Sequence, residues 1–90
     1  MKEPYTVDFL SKTGWVGRAC AEKYSQNAWE VADVRIAKSY RNQGYAYRLC
    51  HFVLSYILSQ AKTATIRTEE DNFAMQRVIK KLGFTRCEPD

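Results

Sequence analysis

Residues 29–50 read WEVADVRIAKSYRNQGYAYRLC, and two different periodicities meet within them. Residues 29–37 are largely apolar, with Glu30, Asp33 and Arg35 as charged exceptions, and read as a strand. From Tyr45 onward the period changes. Apolar residues fall at Ala46, Leu49, Cys50, Val53 and Ile57, three and four apart, as on one face of a helix. Phe52, Leu54 and Leu58 widen that face, so a well-buried helix is expected over residues 45–60. Between the two lies a turn containing Gly44. A turn from a strand end into a helix aims several backbone N–H groups at one place, and the helix dipole adds to them, which makes a phosphate cradle. Gly44 has no side chain to hold a ligand off the backbone. Arg41 and Lys38 can add charge to the same anion. An Arg-x-x-Gly-x-Ala spacing by itself describes an ordinary loop equally well.

Upstream of this stretch, Tyr5, Val7 and Phe9 alternate with polar residues and read as a half-buried strand. Residues 11–14 form a turn, residues 15–23 a second strand, and residues 24–27 another turn. Short turns favour an antiparallel meander. Downstream, residues 64–68 read as a short strand. A helix separates it from the strand at 29–37, so the two should run parallel. Glu69, Glu70 and Asp71 form an acidic helix entrance, with Asp71 or Asn72 as the cap. A second helix over residues 73–82 ends at Gly83. Residues 84–87 could begin a last strand, stopped by Pro89. The expected architecture is a single α+β domain over residues 1–90, with a mixed, mainly antiparallel sheet and two helices.

The composition is that of a globular chain, 46% hydrophobic and 27% charged. No apolar run could span a bilayer, and the start is not basic-then-apolar, so a cytoplasmic protein is expected. Cys20, Cys50 and Cys87 are widely spaced and there is one His, which argues against a metal site and a disulfide framework; reduced thiols in or near the core are expected. Between Asp33 and Glu69 no acidic residue occurs, whereas Arg35, Lys38, Arg41, Arg48, Lys62 and Arg67 do. A one-sign segment suits an anionic ligand. Nucleic acid is disfavoured, since neither an aromatic-and-basic recognition strand nor helix-turn-helix spacing accompanies the charge.

Two motifs carry a resemblance to a known family. Arg41, Asn42, Gln43, Gly44, Tyr45 and Ala46 resemble the pyrophosphate loop of the GNAT (general-control-related N-acetyltransferase) superfamily. NFAMQRVIKKLGF, residues 72–84, resembles its second signature, in which an Asn opens a helix ending in Lys-Leu-Gly-Phe. Arg77-Val78 and the Gly-Tyr-Ala at 44–46 look most like the branch acting on ribosomal-protein N-termini. Glu30, eleven positions before Arg41, matches a carboxylate that serves some members as general base. The resemblance implies an acetyl-CoA-dependent N-acetyltransferase without a metal, in which an amine, of a protein by this likeness, attacks the thioester directly. Acetyl-CoA would lie in a gap between the strand before Gly44 and the strand at 64–68. Its pantetheine arm would pair with the backbone at Val34, Arg35 and Ile36, and its pyrophosphate would rest on N–H groups from Gln43 to Tyr47. Asn72 would touch the pantetheine or the acetyl end. Glu30, on a central apolar strand, would be desolvated and its pKa raised. Each role has a plainer counterpart: Glu30 as a strand carboxylate paired to Arg18 or Lys23, Asn72 as a helix cap, Tyr45 and Tyr47 as packing for the helix start. Asp33 is a second candidate base, and His51 reads as structural.

The sequence departs from the family pattern in two places. A Tyr that protonates the leaving thiolate in many members is matched by Ile79. Relative to the family, the chain is expected to lack the first strand and two helices and the C-terminal hairpin, the walls of the acceptor site. The acceptor could then be a large surface, a second copy could supply the wall in a homodimer, or the chain could be a non-catalytic CoA-binding or protein-interaction module on the same fold.

Overall fold

A computed structural model describes residues 5–60 and 62–85. The elements are β1 (Tyr5–Ser11), β2 (Gly14–Lys23), β3 (Ala28–Ile36), α1 (Tyr45–Ser59), β4 (Thr63–Ile66) and α2 (Phe73–Lys81), with a 3-10 turn over Lys38–Tyr40. One sheet contains the strands in the order β1-β2-β3-β4. The first three are antiparallel, and β4 runs parallel to β3 across the α1 crossover. The mixed, mainly antiparallel α+β sheet with two helices is as expected. No helix among the described residues is long and apolar enough to cross a membrane.

The alternation in β1 places Tyr5, Val7 and Phe9 toward α1. A tight hairpin follows. Ser11 pairs with Gly14, the Thr13 N–H donates to Ser11 Oγ at 3.2 Å, and Gly14 takes a φ of 139° that side chains disfavour. α1 lies across β1, β2 and β3. Its buried residues Leu49, Cys50, Val53 and Ile57 meet Ala19 and Ala21 of β2 and Val31 of β3. Alanines at the contact let the helix approach the sheet closely. Farther along α1, the Tyr56 ring stacks on Tyr5 at 4.0 Å between centroids and on Trp29 at 5.9 Å. These stacks tie the second half of the helix to β1 and β3, each contributing roughly 0.5–1.5 kcal/mol beyond area burial.

α2 is capped at both ends as its sequence suggests. Asn72 is the N-cap, its Oδ1 accepting from the Met75 N–H at 3.1 Å. At the other end Gly83 has φ 93°, its N–H reaches Lys80 O, and the Phe84 N–H reaches Ile79 O. This is a Schellman closure, which needs the left-handed glycine.

Three boundaries differ from expectation. The Lys38–Tyr40 turn has no periodic signal; it is pinned when the Tyr40 hydroxyl bonds Ser11 Oγ at 2.9 Å and Thr13 Oγ1 at 3.0 Å. β4 stops at Ile66, leaving Arg67 and Thr68 outside the ladder. Phe84 and Thr85 form no strand, and the rest of the expected stub, Arg86 and Cys87, lies outside the described residues.

Gly17 carries a constraint that the pattern of β2 does not announce. A Cβ there would stand 2.6 Å from Arg35 O, 2.8 Å from Ile36 Cδ1 and 3.0 Å from Leu49 Cδ1. Backbone oxygen cannot yield as a flexible side chain does. Gly17→Ala should therefore destabilise the fold by about 1–3 kcal/mol, the range for overpacking a close contact. Urea unfolding checks this; an unchanged midpoint would mean that β2 and β3 separate freely at this point.

Candidate active site

β3 begins as a well-paired central strand. Ala28, Trp29, Glu30 and Val31 pair with Thr63, Ala64, Thr65 and Ile66 of β4. Its other edge pairs with β2, and there the register slips: Arg18 faces Arg35, but Cys20 faces Ala32. Asp33 and Val34 thus oppose the single residue Ala19. Asp33 holds a left-handed φ of 52°, a conformation that Asp tolerates better than most residues. A bulge of this kind bends its strand. Beyond Val31, β3 continues to Ile36 while β4 has ended, so among the described residues 32–36 have no strand partner on that side. Where β4 ends, a cleft of about 420 Å³ opens between β3 and the connection that follows β4, lined by Glu30, Val31, Ala32, Asp33, Arg67, Thr68 and Glu69.

Glu30 is 8% exposed, the one buried charged residue among those described. Its carboxylate accepts two bonds from one guanidinium, Arg67 Nε to Oε2 at 2.6 Å and Nη2 to Oε1 at 3.1 Å. Burial was expected, but the expected counter-ions were Arg18 or Lys23. Arg18 instead forms an ion pair with Asp8 at 3.0 Å. Thr65 is the ladder partner of Glu30, and Arg67 follows immediately after the end of β4, within reach of the carboxylate. The hydrogen bond to Glu30 in turn raises the Arg67 pKa above its ordinary value, so this cation is permanent.

At the end of β3 the chain turns through Lys38–Tyr40 and the loop at 41–44. Asn42 has φ 63° and Gly44 has φ 85° and ψ 4°. Arg41 is folded back, its Nε donating to Ile36 O at 3.2 Å, and the Gln43 amide donates to Ser39 O. α1 then starts with no side chain capping it and no acidic residue in its first turn. Its first intrahelical bond is Arg48 N–H to Gly44 O. The N–H groups of Tyr45, Ala46 and Tyr47 therefore have no partner within the helix, and an anion suits them. A Cβ built on Gly44 would meet nothing within 4 Å, so the space over the turn is open.

The tyrosine rings serve the fold. Tyr45 packs edge-on against Phe9 and Tyr40, and Tyr47 lies beside His51 with the Lys81 ammonium 4.6 Å from its ring centre. Asn72 follows the connection that leaves the C-terminal end of β4, the same end of the parallel pair at which the α1 loop begins. Its Oδ1 is engaged as the cap. Ile79 sits half-buried in α2.

The chain matches the acetyltransferase (GNAT) domain family over residues 2–85. It belongs to the GNAT family. Solved structures share the fold of the chain. A Bacillus anthracis protein assigned as a streptothricin acetyltransferase, solved with acetyl coenzyme A, superposes with a TM-score of 0.79 at 20% identity, covering 94% of this chain and 50% of that one. The aminoglycoside N-acetyltransferase AAC(6′)-Iy, solved with CoA, gives 0.76 at 19% identity, with 94% and 70% covered. A Trypanosoma brucei acetyltransferase gives 0.74 at 23% identity, with 94% and 64% covered. The chain thus spans half the length of the first of these neighbours. No curated protein sequence matches it significantly.

Sequence reading missed two features of this candidate site. One is Arg67, whose role depends on the β3–β4 register. The other is the bulge: Asp33 in a β-rich run was the only hint of it. Among the thiols, Cys20 and Cys50 are buried and not in disulfides, and Cys87 lies outside the described residues. Burial pushes the Cys50 thiol up to about 12. A raised thiol stays protonated until the pH nears that value, so Cys50 is no nucleophile at neutral pH. Iodoacetamide at pH 8 should leave Cys50 unmodified in the native chain and alkylate it fully in urea, read by peptide mass spectrometry. Rapid native alkylation would contradict the packing of α1 on β2.

Proposed function

We propose that the chain binds acetyl-CoA and transfers its acetyl group to a primary amine. The carrying observation is the cleft beside β3 where β4 ends, with an uncapped helix start at one end and a buried carboxylate beside it. Val31 faces α1 and belongs to the core, so its neighbour Glu30 faces the opposite side of the sheet. The cradle belongs to α1 and Glu30 to the other face, and the gap between the strands connects the two. In this reading the pyrophosphate rests on the N–H groups of Gln43, Gly44, Tyr45, Ala46 and Tyr47, with Arg41 and Asn42 shaping the loop. The pantetheine arm adds to the free edge of β3 at Val34, Arg35 and Ile36 as an extra strand would. Asn72 keeps its cap and places the start of α2 beside the pantetheine or acetyl end.

The amine nitrogen attacks the thioester carbonyl carbon. The N–C bond forms, the C–S bond breaks, and the amine proton passes to the Glu30 carboxylate. A buried cysteine of high pKa supports direct attack over an acyl-enzyme. Ile79 has no proton to give the leaving thiolate, so the α2 position used by many members does not serve as general acid here. The likeness of residues 44–46 and 77–78 to the ribosomal-protein branch makes a protein amine the first acceptor to try. An aminoglycoside is the second, because it is the substrate class named for one structural neighbour.

Calorimetry with acetyl-CoA tests the donor half. Wild type should bind in the micromolar range, and Gly44→Glu should lose at least about tenfold, or roughly 1.4 kcal/mol. Circular dichroism guards against simple unfolding, since any side chain at φ 85° is strained. Glu30→Gln should bind equally well and transfer acetyl about 10²-fold or more slowly. Binding without transfer to peptide or aminoglycoside amines would support the interaction-module reading, and no binding by wild type would reject the proposal.

A further inference from the structure

Arg67 combines two properties that seldom coincide. Its side chain is 76% exposed, yet two of its nitrogens are committed to a nearly buried carboxylate. An exposed arginine ordinarily keeps its rotamers free, and an exposed ion pair contributes little. Here the fork is planar and bidentate, and one partner is desolvated, the geometry in which arginine fixes a carboxylate in place. Arg67 is also the first residue past the β4 ladder, where the gap opens. Its fork reaches from one wall of the gap to the other.

We infer that Arg67 is a positioning residue for acetyl transfer, holding the Glu30 carboxylate oriented and paired with a cation at the gap so that it can take the acceptor proton. This rests on the proposed transferase reading. A carboxylate has about four acceptor sites, and Arg67 occupies one on each oxygen, leaving one on each for an incoming amine. The charges around Glu30 make the arginine necessary. Glu22 stands opposite it on β2, Asp33 lies on its own strand, and Glu69 lines the cleft beyond β4. Tyr24 and Glu22 also act electrostatically on Arg67. Asp33 has its own partner in Arg35. Without Arg67, the Glu30 carboxylate would lose the cation hydrogen-bonded to both of its oxygens.

The test compares wild type, Arg67→Gln and Arg67→Lys as full chains, with thermal melting to confirm folding. Carboxyl-labelled glutamate NMR, with Glu30→Gln assigning the signal, follows the Glu30 carboxyl against pH. The midpoint should move up by about one unit or more in Arg67→Gln. It should move less in Arg67→Lys, whose point charge restores attraction without the fork. In transfer assays with butylamine, spermidine and a lysine peptide, the acid limb of the rate profile should move the same way. Acetyl-CoA affinity by calorimetry should be unchanged. An unmoved Glu30 midpoint in Arg67→Gln, with acetyl-CoA binding intact, overturns the role of Arg67 alone. Absence of acetyl-CoA binding by wild type overturns the transferase reading and this inference with it.

Discussion

Asp33 adopts a left-handed backbone in the middle of the central strand, and most of what is distinctive in this molecule follows from that one residue. Where two residues face one, the ladder cannot stay flat. β3 keeps its hydrogen bonds to β2 on one edge and gives up β4 on the other. Glu30 and its partner Thr65 stand one pair before the ladder ends, so the carboxylate is buried by paired strands yet borders the opening. Asp suits the position: its short side chain tolerates φ above zero, and the Arg35 guanidinium holds the carboxylate.

The two faces of the sheet divide the labour. Toward α1 the sheet presents Ala19, Ala21 and Val31, and the helix answers with branched aliphatic side chains. Toward the other side it presents paired charges. Asp8 accepts from the Trp15 indole and from Arg18, which together hold its carboxyl below the usual carboxylate range. Glu30 and Arg67 lie on this same face, across the register from Glu22. Stability comes from the face under α1, and the chemistry proposed for the chain lies on the other. A substitution on the charged face can therefore alter reactivity while the core packing stays intact.

Much of this was legible from residue order. The change of period between residues 37 and 45 located β3 and α1, and a helix between two strands required them to be parallel. Asn72 and Gly83 announced the limits of α2 because each meets a specific backbone need, an orphan N–H at one end and a left-handed φ at the other. The partner of Glu30 was not legible. Arg18, Lys23 and Arg67 are all within reach of an imagined strand, and only the register chooses among them. That register is set by the pairing of residues 28–31 with β4, strands separated in sequence by the whole of α1. Gly17 was hidden for a similar reason: its crowding comes from Arg35 and Leu49, far away in sequence.

The first turn of α1 has an implication for the free protein. Many helices open with Ser, Thr, Asp or Asn, whose side chain closes an orphan N–H and adds a few tenths of a kcal/mol over glycine. This one opens with Gly44, which closes none. The free chain accordingly carries a defect at its helix start that a bound anion would repair, occupying the position of a capping side chain. Folding of that turn and occupancy of the loop are then two readings of one equilibrium.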